Sequence, residues 1–386
     1  MTRGPGLVPQ SCPLLRAGRG LRIAVRSLGE EVRVFAFCHA LGEGSGPKAA
    51  RRSRGGGRTV DVHCHVATFE CEPLVADLYR SELEPYDHFL GPRSVAHNKE
   101  LFRALRPKLT DPAERLRDMD RMGIEVQAIA TFVSQYYYWT PPDLGAELAR
   151  MQNDRLAEIV AAHPHRFVAL GTLPLQHTGR ALAELDRIMG LGFRGVQIGA
   201  NVNGLDLDDP SLRPVFARAA ELGAPVLIHP SGFTGGERLA DFFLINVVGN
   251  PLDTTVALSR LILAGVLAEH PGLRLISVHG GGYLASYSDR LDHAWEVRPE
   301  VGEHITEAPS AYLHRQVYVD TTVFDPTALG YLVSRMGADH VLLGTDYPFD
   351  MGEPDPVGLI ASVPGLSRGD AALIRGGNAA RLLRLE

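Results

Sequence analysis

Lysine is scarce in this chain of 386 residues, where it occurs only at Lys48, Lys99 and Lys108 while arginine is abundant. None of the three lies in a strand-like run of the sequence. A binuclear metal site bridged by a carbamylated lysine needs that lysine on a core strand. The sequence therefore favours a single metal ion over a lysine-bridged pair in any metal site of this chain.

Cysteine is equally sparse. The chain has four, at Cys12, Cys38, Cys64 and Cys71, and no two of them form a Cys-x-x-Cys pair. This number and spacing indicate neither a disulfide framework nor a thiolate zinc site. The pattern fits a reducing cytoplasm, which we predict as the location.

The sequence also lacks an excess of positive charge and a long apolar run. Its formal net charge is −6, and no basic stripe predicts nucleic-acid binding. No apolar stretch reaches the roughly 18 residues that cross a bilayer. With 45% hydrophobic residues, the chain can bury a large core, and we predict a soluble protein that binds neither nucleic acid nor membrane.

Residues 1–58 are rich in glycine and arginine and have no sustained apolar period. We predict a mostly disordered extension here, followed by one folded domain over residues 59–386. Charged residues interrupt the stretch from Leu21 to Ala40, which argues against a secretory signal. The sequence leaves open whether the extension is a transit peptide or reflects a start codon upstream of the true one.

From Thr59 onward, eight short β-branched runs alternate with segments of helical period, which predicts βα units and a parallel sheet. The runs are 59–64, 126–131, 166–173, 195–199, 225–229, 274–279, 317–321 and 340–345. Eight such units favour an α/β fold of the (β/α)8 TIM-barrel type. A doubly wound sheet would require a glycine fingerprint after its first strand, and none is present. Residues 66–110 are too many for an ordinary βα loop, so we predict an insertion over the barrel mouth.

Four of these runs end in imidazole or carboxylate groups. His63 and His65 are two residues apart on the first run, so both side chains point the same way. His229, His279 and Asp346 end runs five, six and eight. Reactive groups of a barrel lie at the carboxyl ends of several strands. Each residue could instead be structural, for example with Asp346 organising a turn, but five at matching strand ends indicate a site.

This set of groups suits a catalytic metal. We predict that His63, His65, His229 and Asp346 bind the ion and leave one position open. His279 is the residue that we expect to stay off the metal and act as a general base toward water in the open position.

An aromatic run, Tyr136-Tyr137-Tyr138-Trp139, follows the second strand-like run. It is typical either of a pocket wall or of an interface patch. Trp139 is therefore a candidate substrate contact.

Five motifs in this order resemble a known family. They are His63-Cys64-His65, Val196-Gln197-Ile198-Gly199, Ile228-His229-Pro230, His279-Gly280-Gly281-Gly282 and Leu343-Gly344-Thr345-Asp346-Tyr347-Pro348-Phe349. Together they resemble the aminocarboxymuconate semialdehyde decarboxylase branch of the amidohydrolase superfamily. The resemblance extends from about Thr59 to the C-terminus.

The resemblance implies a (β/α)8 barrel with one Zn²⁺ at the four predicted ligands, Mn²⁺ being an alternative, and His279 as the base. It also implies that Arg103 and Arg290 bind carboxylates of a small-molecule substrate. In the family, the counterpart of Arg290 reaches in from a neighbouring subunit, so the resemblance implies a homodimer.

One segment departs from the family pattern. Where the decarboxylases have Trp-Asp-Met after the strand-five His-Pro, this chain has Ser231-Gly232-Phe233. The departure puts the substrate in doubt, and Phe233 is expected to replace the missing tryptophan in part.

The predicted function is the zinc-dependent, non-oxidative decarboxylation of a carboxylated unsaturated or aromatic acid. His279 and Asp346 would carry the proton transfers. A hydrolase or hydratase would use the same site, since a metal-activated water also attacks carbonyls and activated alkenes. A catalytically silent barrel used for binding is the third alternative.

Overall fold

The structure is a computed structural model, and it describes residues 58–385. Eight parallel strands follow one another around one sheet in chain order. They are β1 (Val60–Val66), β2 (Val126–Thr131), β3 (Phe167–Gly171), β4 (Gly195–Ile198), β5 (Val226–Ile228), β6 (Leu275–Ser277), β7 (Val317–Asp320) and β8 (Val341–Leu342). The predicted (β/α)8 barrel is confirmed. The prediction of disorder for residues 1–58 lies, except for Arg58, outside the described residues.

Hydrogen bonds join the first strand to the chain that follows the last one. The amide of Val62 donates to the carbonyl of Leu343 at 3.0 Å, and the amide of Asp346 donates to the carbonyl of His63 at 2.8 Å. The hydroxyl of Thr345 donates to the buried carboxylate of Asp61 at 2.7 Å. This junction brings Asp346 beside the His-x-His pair of β1.

Helices surround the barrel between successive strands. The longer ones are Pro92–Thr110, Pro112–Met122, Pro142–Ala162, Thr178–Gly190, Arg213–Leu222, Asn250–Leu263, Asp289–Val297, Pro309–Gln316 and Pro326–Met336. After β8, the chain ends in the short helices Pro356–Ala361, Arg368–Ala372 and Asn378–Leu382. Within the described residues, no helix combines the length and the apolar character needed to span a membrane.

Local sequence explains where several of these helices begin. The side chain of Asp111 accepts from the amide of Ala113, and Pro112 follows it at the first helical position. Asp325 and Pro326 repeat the arrangement. A carboxylate N-cap supplies an acceptor for an unpaired amide, and proline at the next position loses no hydrogen bond.

Alternate residues of each strand belong to different parts of the core, as the twofold period of a strand requires. Val317 and Val319 of β7 belong to the large cluster that includes Leu329 of a surrounding helix. Tyr318, between them, belongs to a second cluster with Ile276 and other strand residues.

The insertion after β1 occupies residues 67–110, close to the predicted 66–110. It contains the short helices Glu72–Val75 and Pro85–His88 and the 19-residue helix Pro92–Thr110. The sequence did not predict the long helix because few of its positions are apolar, and only Asn98, Leu105 and Leu109 are buried.

Two predicted elements differ from the structure. The sequence between the fifth and sixth strand-like runs has a continuous helical period over residues 254–270, which predicts one helix, but the structure has two, Asn250–Leu263 and Val266–Glu269, because Gly265 between them adopts a φ of +77°. The eighth strand, expected over 340–345, covers only Val341–Leu342. Its next amide, that of Leu343, bonds to the carbonyl of Ile374 instead.

Candidate active site

The four predicted metal ligands meet at the carboxyl end of the barrel. One donor atom from each of His63, His65, His229 and Asp346 lies within 4.8 Å of the others, and all four residues are buried. The imidazole ring of His229 is 4.9 Å from that of His63 and 4.9 Å from that of His65, measured between ring centroids. The Nε2 atom of His65 lies 3.0 Å from Oδ1 of Asp346.

Asp320, at the end of β7, orients His63. Its Oδ2 atom lies 2.6 Å from Nδ1 of His63, and its Oδ1 accepts from the amide of Gly280 at 2.8 Å. The Nε2 atom of His63 is therefore the one that faces the cluster. Asp320 was not predicted as a site residue, although its place at the end of a predicted strand was a signal that could have identified it.

His229 is oriented in the same manner by its own backbone. Its Nδ1 lies 2.7 Å from the carbonyl oxygen of Pro230. The Nε2 atoms of His63 and His229 are buried and have no hydrogen-bond partner among residues 58–385. A buried polar atom without a partner is costly, and ligation by a metal ion would satisfy both atoms. The residues present thus fit the single divalent ion that the sequence predicts.

The charges of the cluster also favour a cation. Burial alone would raise the pKa of Asp346, but the imidazoles of His63, His279 and His65 hold it well below its usual range. Burial, reinforced by the other imidazoles, lowers the pKa of His229 well below its usual value. The carboxylates of Asp346 and Asp320 outweigh the burial of His63 and raise its pKa to about 10. In the metal-free protein a proton on His63 offsets part of this negative charge, which a divalent cation would replace.

His279 stands beside this group and is not part of it. Its Nε2 atom is 3.8 Å from Oδ2 of Asp346, and its Nδ1 is buried without a hydrogen-bond partner in the part of the chain that the structure describes. His279 and Asp346 both have a left-handed backbone, with φ of 55° and 58°. Non-glycine residues in this conformation are concentrated at functional sites, where the surrounding structure compensates for the strain.

A cavity of about 60 Å³, which we call the metal cavity, opens onto His65, His229, His279 and Asp346. Aromatic and amide side chains contribute much of the rest of its wall. They include Tyr86, Asn98 and Phe102 from the insertion, Phe132 after β2, and Phe349 after β8. The aromatic wall is continuous, with Phe132 and Phe349 at 5.3 Å and Phe349 and His65 at 5.4 Å between ring centroids.

The chain matches the family described as Amidohydrolase over residues 60–385. It belongs to the amidohydrolase family. It is 38% identical to the 2-amino-3-carboxymuconate-6-semialdehyde decarboxylase of Dictyostelium discoideum, over 85% of this chain and 92% of that one. It is 29% identical to a gamma-resorcylate decarboxylase of Rhizobium sp., over 78% of this chain and 97% of that one. Among solved structures, the crystal structure of 5-carboxyvanillate decarboxylase from Sphingomonas paucimobilis is similar with a TM-score of 0.75 and 26% identity. It covers 85% of this chain and 99% of that one.

The predicted substrate arginines of this amidohydrolase lie away from the metal cavity of their own chain. The side chain of Arg103 is 67% exposed and pairs with Glu100, although the preceding Phe102 lines the cavity. Arg290 is exposed on the helix Asp289–Val297.

The two predicted aromatic contacts are also separate from the metal cavity. Trp139 lines a second, larger cavity together with Tyr136 and Tyr138. Phe233 is half-buried beside Gly235 and Gly249 and is not among the lining residues of either cavity. The roles of Trp139 and Phe233 stay predictions.

Proposed function

We propose that this amidohydrolase is a metal-dependent, non-oxidative decarboxylase that acts on a small carboxylated unsaturated or aromatic acid. The observation that carries the proposal is the buried group of three imidazoles and one carboxylate at an aromatic cavity. It lies in a chain whose relatives over most of its length are decarboxylases.

The metal in this proposal is Zn²⁺, held by His63, His65, His229 and Asp346. Three imidazole nitrogens and one carboxylate oxygen suit zinc, and Mn²⁺ accepts the same types of donor. When bound, the ion would act as a Lewis acid that draws electron density toward the substrate oxygens that it contacts. Asp320 would keep His63 in the tautomer whose Nε2 lone pair is free.

His279 and Asp346 would handle the proton. In decarboxylation the bond from carbon to the carboxylate breaks, carbon dioxide leaves, and the carbon that remains takes up a proton. A buried N–H without an acceptor is rarer than a buried lone pair without a donor, so neutral His279 is expected to carry its proton on Nε2. That nitrogen faces Asp346 Oδ2, and His279 contributes to the wall of the cavity. Once it carries a second proton taken from water, His279 can therefore donate a proton to the substrate carbon and return to its neutral form, while the ionised Asp346 stabilises the imidazolium.

The wall of the cavity would hold the substrate in position. Phe102, Phe132 and Phe349 offer ring faces and edges on which an unsaturated or aromatic acid can pack. We also propose that Arg103 and Arg290 bind substrate carboxylates, with Arg290 reaching the cavity of a neighbouring subunit. The exposed position of Arg290 supports this arrangement.

The same arrangement requires a homodimer, and we propose a cytoplasmic one. Cys64 and Cys71 are both free and buried, which is in accord with a reducing compartment.

The test is carbon dioxide release from metal-loaded protein. Protein stripped with a chelator and reloaded with Zn²⁺ or Mn²⁺ is incubated with 2-amino-3-carboxymuconate-6-semialdehyde and, separately, with gamma-resorcylate. We expect loss of carbon dioxide, measured by product mass, only in the metal-loaded samples. Gain of water without loss of carbon dioxide would instead identify a hydrolase or hydratase.

Two variants assign the proton step. His279→Ala should bind the metal at full stoichiometry and lose at least about a hundredfold in kcat, the scale of general acid–base catalysis. His293→Ala is the matched control, because the His293 side chain is 73% exposed on a surface helix. Equal loss in both variants would count against the role of His279.

A further inference from the structure

A second cavity, which we call the glutamate cavity, adjoins the metal cavity. Its volume is about 610 Å³, roughly that of a small-molecule site. Ser231, two residues after the proposed ligand His229, contributes to the walls of both cavities. The proposed decarboxylation assigns no role to this larger space.

The wall of the glutamate cavity is acidic and aromatic. Three glutamates, Glu82, Glu84 and Glu237, contribute to it, and among residues 58–385 it includes no lysine or arginine. Its aromatic part consists of Phe89, Trp139 and the stacked pair Tyr136 and Tyr138, whose ring centroids are 5.2 Å apart.

Glu84 is the buried acid of this wall, with only 9% of its surface exposed. Its Oε1 accepts from the indole N–H of Trp139 at 2.6 Å. The hydroxyl of Ser231 lies close enough to the carboxyl group to lower its pKa slightly, and among the described residues no lysine or arginine pairs with it. The hydroxyl of Ser231 is buried beside it. A buried carboxyl group without a basic partner thus borders a large aromatic space.

We infer that the glutamate cavity binds an organic cation, with Glu84 as its counter-charge and Trp139, Tyr136 and Tyr138 as its aromatic cage. Aromatic faces attract ammonium groups through the quadrupole of the ring, and they do so best where water is excluded. A quaternary ammonium group fits this wall better than an anion, which the exposed Glu82 and Glu237 repel. It also fits better than a neutral apolar ligand, which would leave Glu84 without a counter-charge.

The ionisation of Glu84 is expected to depend on a bound cation. Burial, with a smaller contribution from the nearby Asp87, raises the pKa of Glu84 to about 8. An opposite charge beside a carboxyl group favours its ionised form. A bound cation is therefore expected to displace a proton from Glu84.

Intrinsic fluorescence gives a direct test, because Trp139 and Trp295 are the two tryptophans of the chain. The variant Trp295→Phe leaves Trp139 as the single emitter. Zinc-loaded full-length Trp295→Phe protein is titrated with choline and, separately, with its neutral isostere 3,3-dimethylbutan-1-ol. We expect a saturable change in emission with choline, and binding of the isostere at least about tenfold weaker.

The counter-charge is tested in the same background. Glu84→Gln retains an acceptor for the Trp139 N–H and should raise the Kd for choline at least about tenfold. Glu147→Gln, at an exposed position outside the cavity, should leave this Kd unchanged. No saturable change with choline, or equal affinity for choline and the isostere, would overturn the inference. The comparison of the two ligands needs no further variant, so it decides the question even if Glu84→Gln fails to fold.

Discussion

His63 and Asp320 approach to 2.6 Å between Nδ1 and Oδ2, and both side chains are completely buried. They lie 257 residues apart in the sequence, on strands β1 and β7. The contact fixes which nitrogen of His63 faces the ligand cluster. Because Asp320 also accepts from the amide of Gly280, the same carboxylate connects His63 to the segment that carries His279.

The variant Asp320→Asn should therefore weaken metal binding without abolishing it. Loss of a carboxylate that orients a ligating histidine typically lowers metal affinity 10–100-fold, and we expect a change of that order. Competition with a zinc-binding chromophore measures the affinity. Asp339→Asn, at a 61% exposed side chain, is the control and should retain the affinity of the wild type. If both variants bind zinc as tightly as the wild type, Asp320 does not act through His63.

The proposed role of Arg290 across a subunit interface is open to complementation. Arg290→Ala and Asp346→Asn homodimers should each be inactive, whereas mixed dimers would contain one complete site. Random exchange of subunits between equal amounts should restore about a quarter of the wild-type activity, since half of the dimers are mixed and each has one of two sites. Carbon dioxide release before and after exchange measures this. Activity that stays at the level of the separate variants would contradict a role in trans.

The buried carboxyl group of Asp253 should make the free energy of unfolding depend on pH. It is buried, accepts from the side-chain Nδ2 of Asn201 at 3.1 Å, and burial raises its pKa to about 7 from an ordinary 3.8. Between these values the native state keeps a proton that the unfolded state has lost, so the contribution of Asp253 to the free energy of unfolding decreases as pH rises.

Because Asp253→Asn removes this titration, the free energy of unfolding of the variant should fall less steeply than that of the wild type between pH 4 and 7. The two slopes should differ by up to about 1.4 kcal/mol per pH unit. Urea unfolding of the zinc-loaded protein at several pH values provides the measurement. Asp241→Asn, at an exposed position, should follow the wild type. Parallel curves for Asp253→Asn and the wild type would rule out a protonated Asp253.

Gly281, two residues after His279, lies where the structure leaves no room for a side chain. Gly281 has a φ of +79°, and a Cβ placed on it would lie 2.7 Å from Cγ1 of Val319. Gly365 has a similar φ of +76° with no atom within 4 Å of such a Cβ. Gly365→Ala should cost about 1–2 kcal/mol for the backbone alone. Gly281→Ala should cost a further 1–3 kcal/mol or so for the clash and lower kcat by displacing His279.

Thermal unfolding and kcat measured side by side separate these two effects. Equal destabilisation by the two substitutions would mean that the backbone near Val319 yields to the added methyl group.

Much of the barrel was predictable because its signals are local. The β-branched runs and the helical periods each lie within a few residues, and they correctly predicted the eight strands. The helix Pro92–Thr110 was missed because polar residues dominate it, and the contacts that hold it are tertiary. The shortened β8 was missed for a similar reason, since the competing acceptor for the Leu343 amide, the carbonyl of Ile374, is distant in sequence.

The metal ligands themselves were predictable from strand ends, because parallel strands in a barrel deliver their carboxyl ends to one face. By itself, the sequence determined the fold class and the position of the insertion. It also identified the four residues that meet at the site, which are His63, His65, His229 and Asp346. The tertiary structure alone decided that Asp320 orients His63 and that Trp139 borders the glutamate cavity instead of the metal cavity. These relationships depend on distances between side chains far apart along the chain, and strand and helix periods contain no information about such distances.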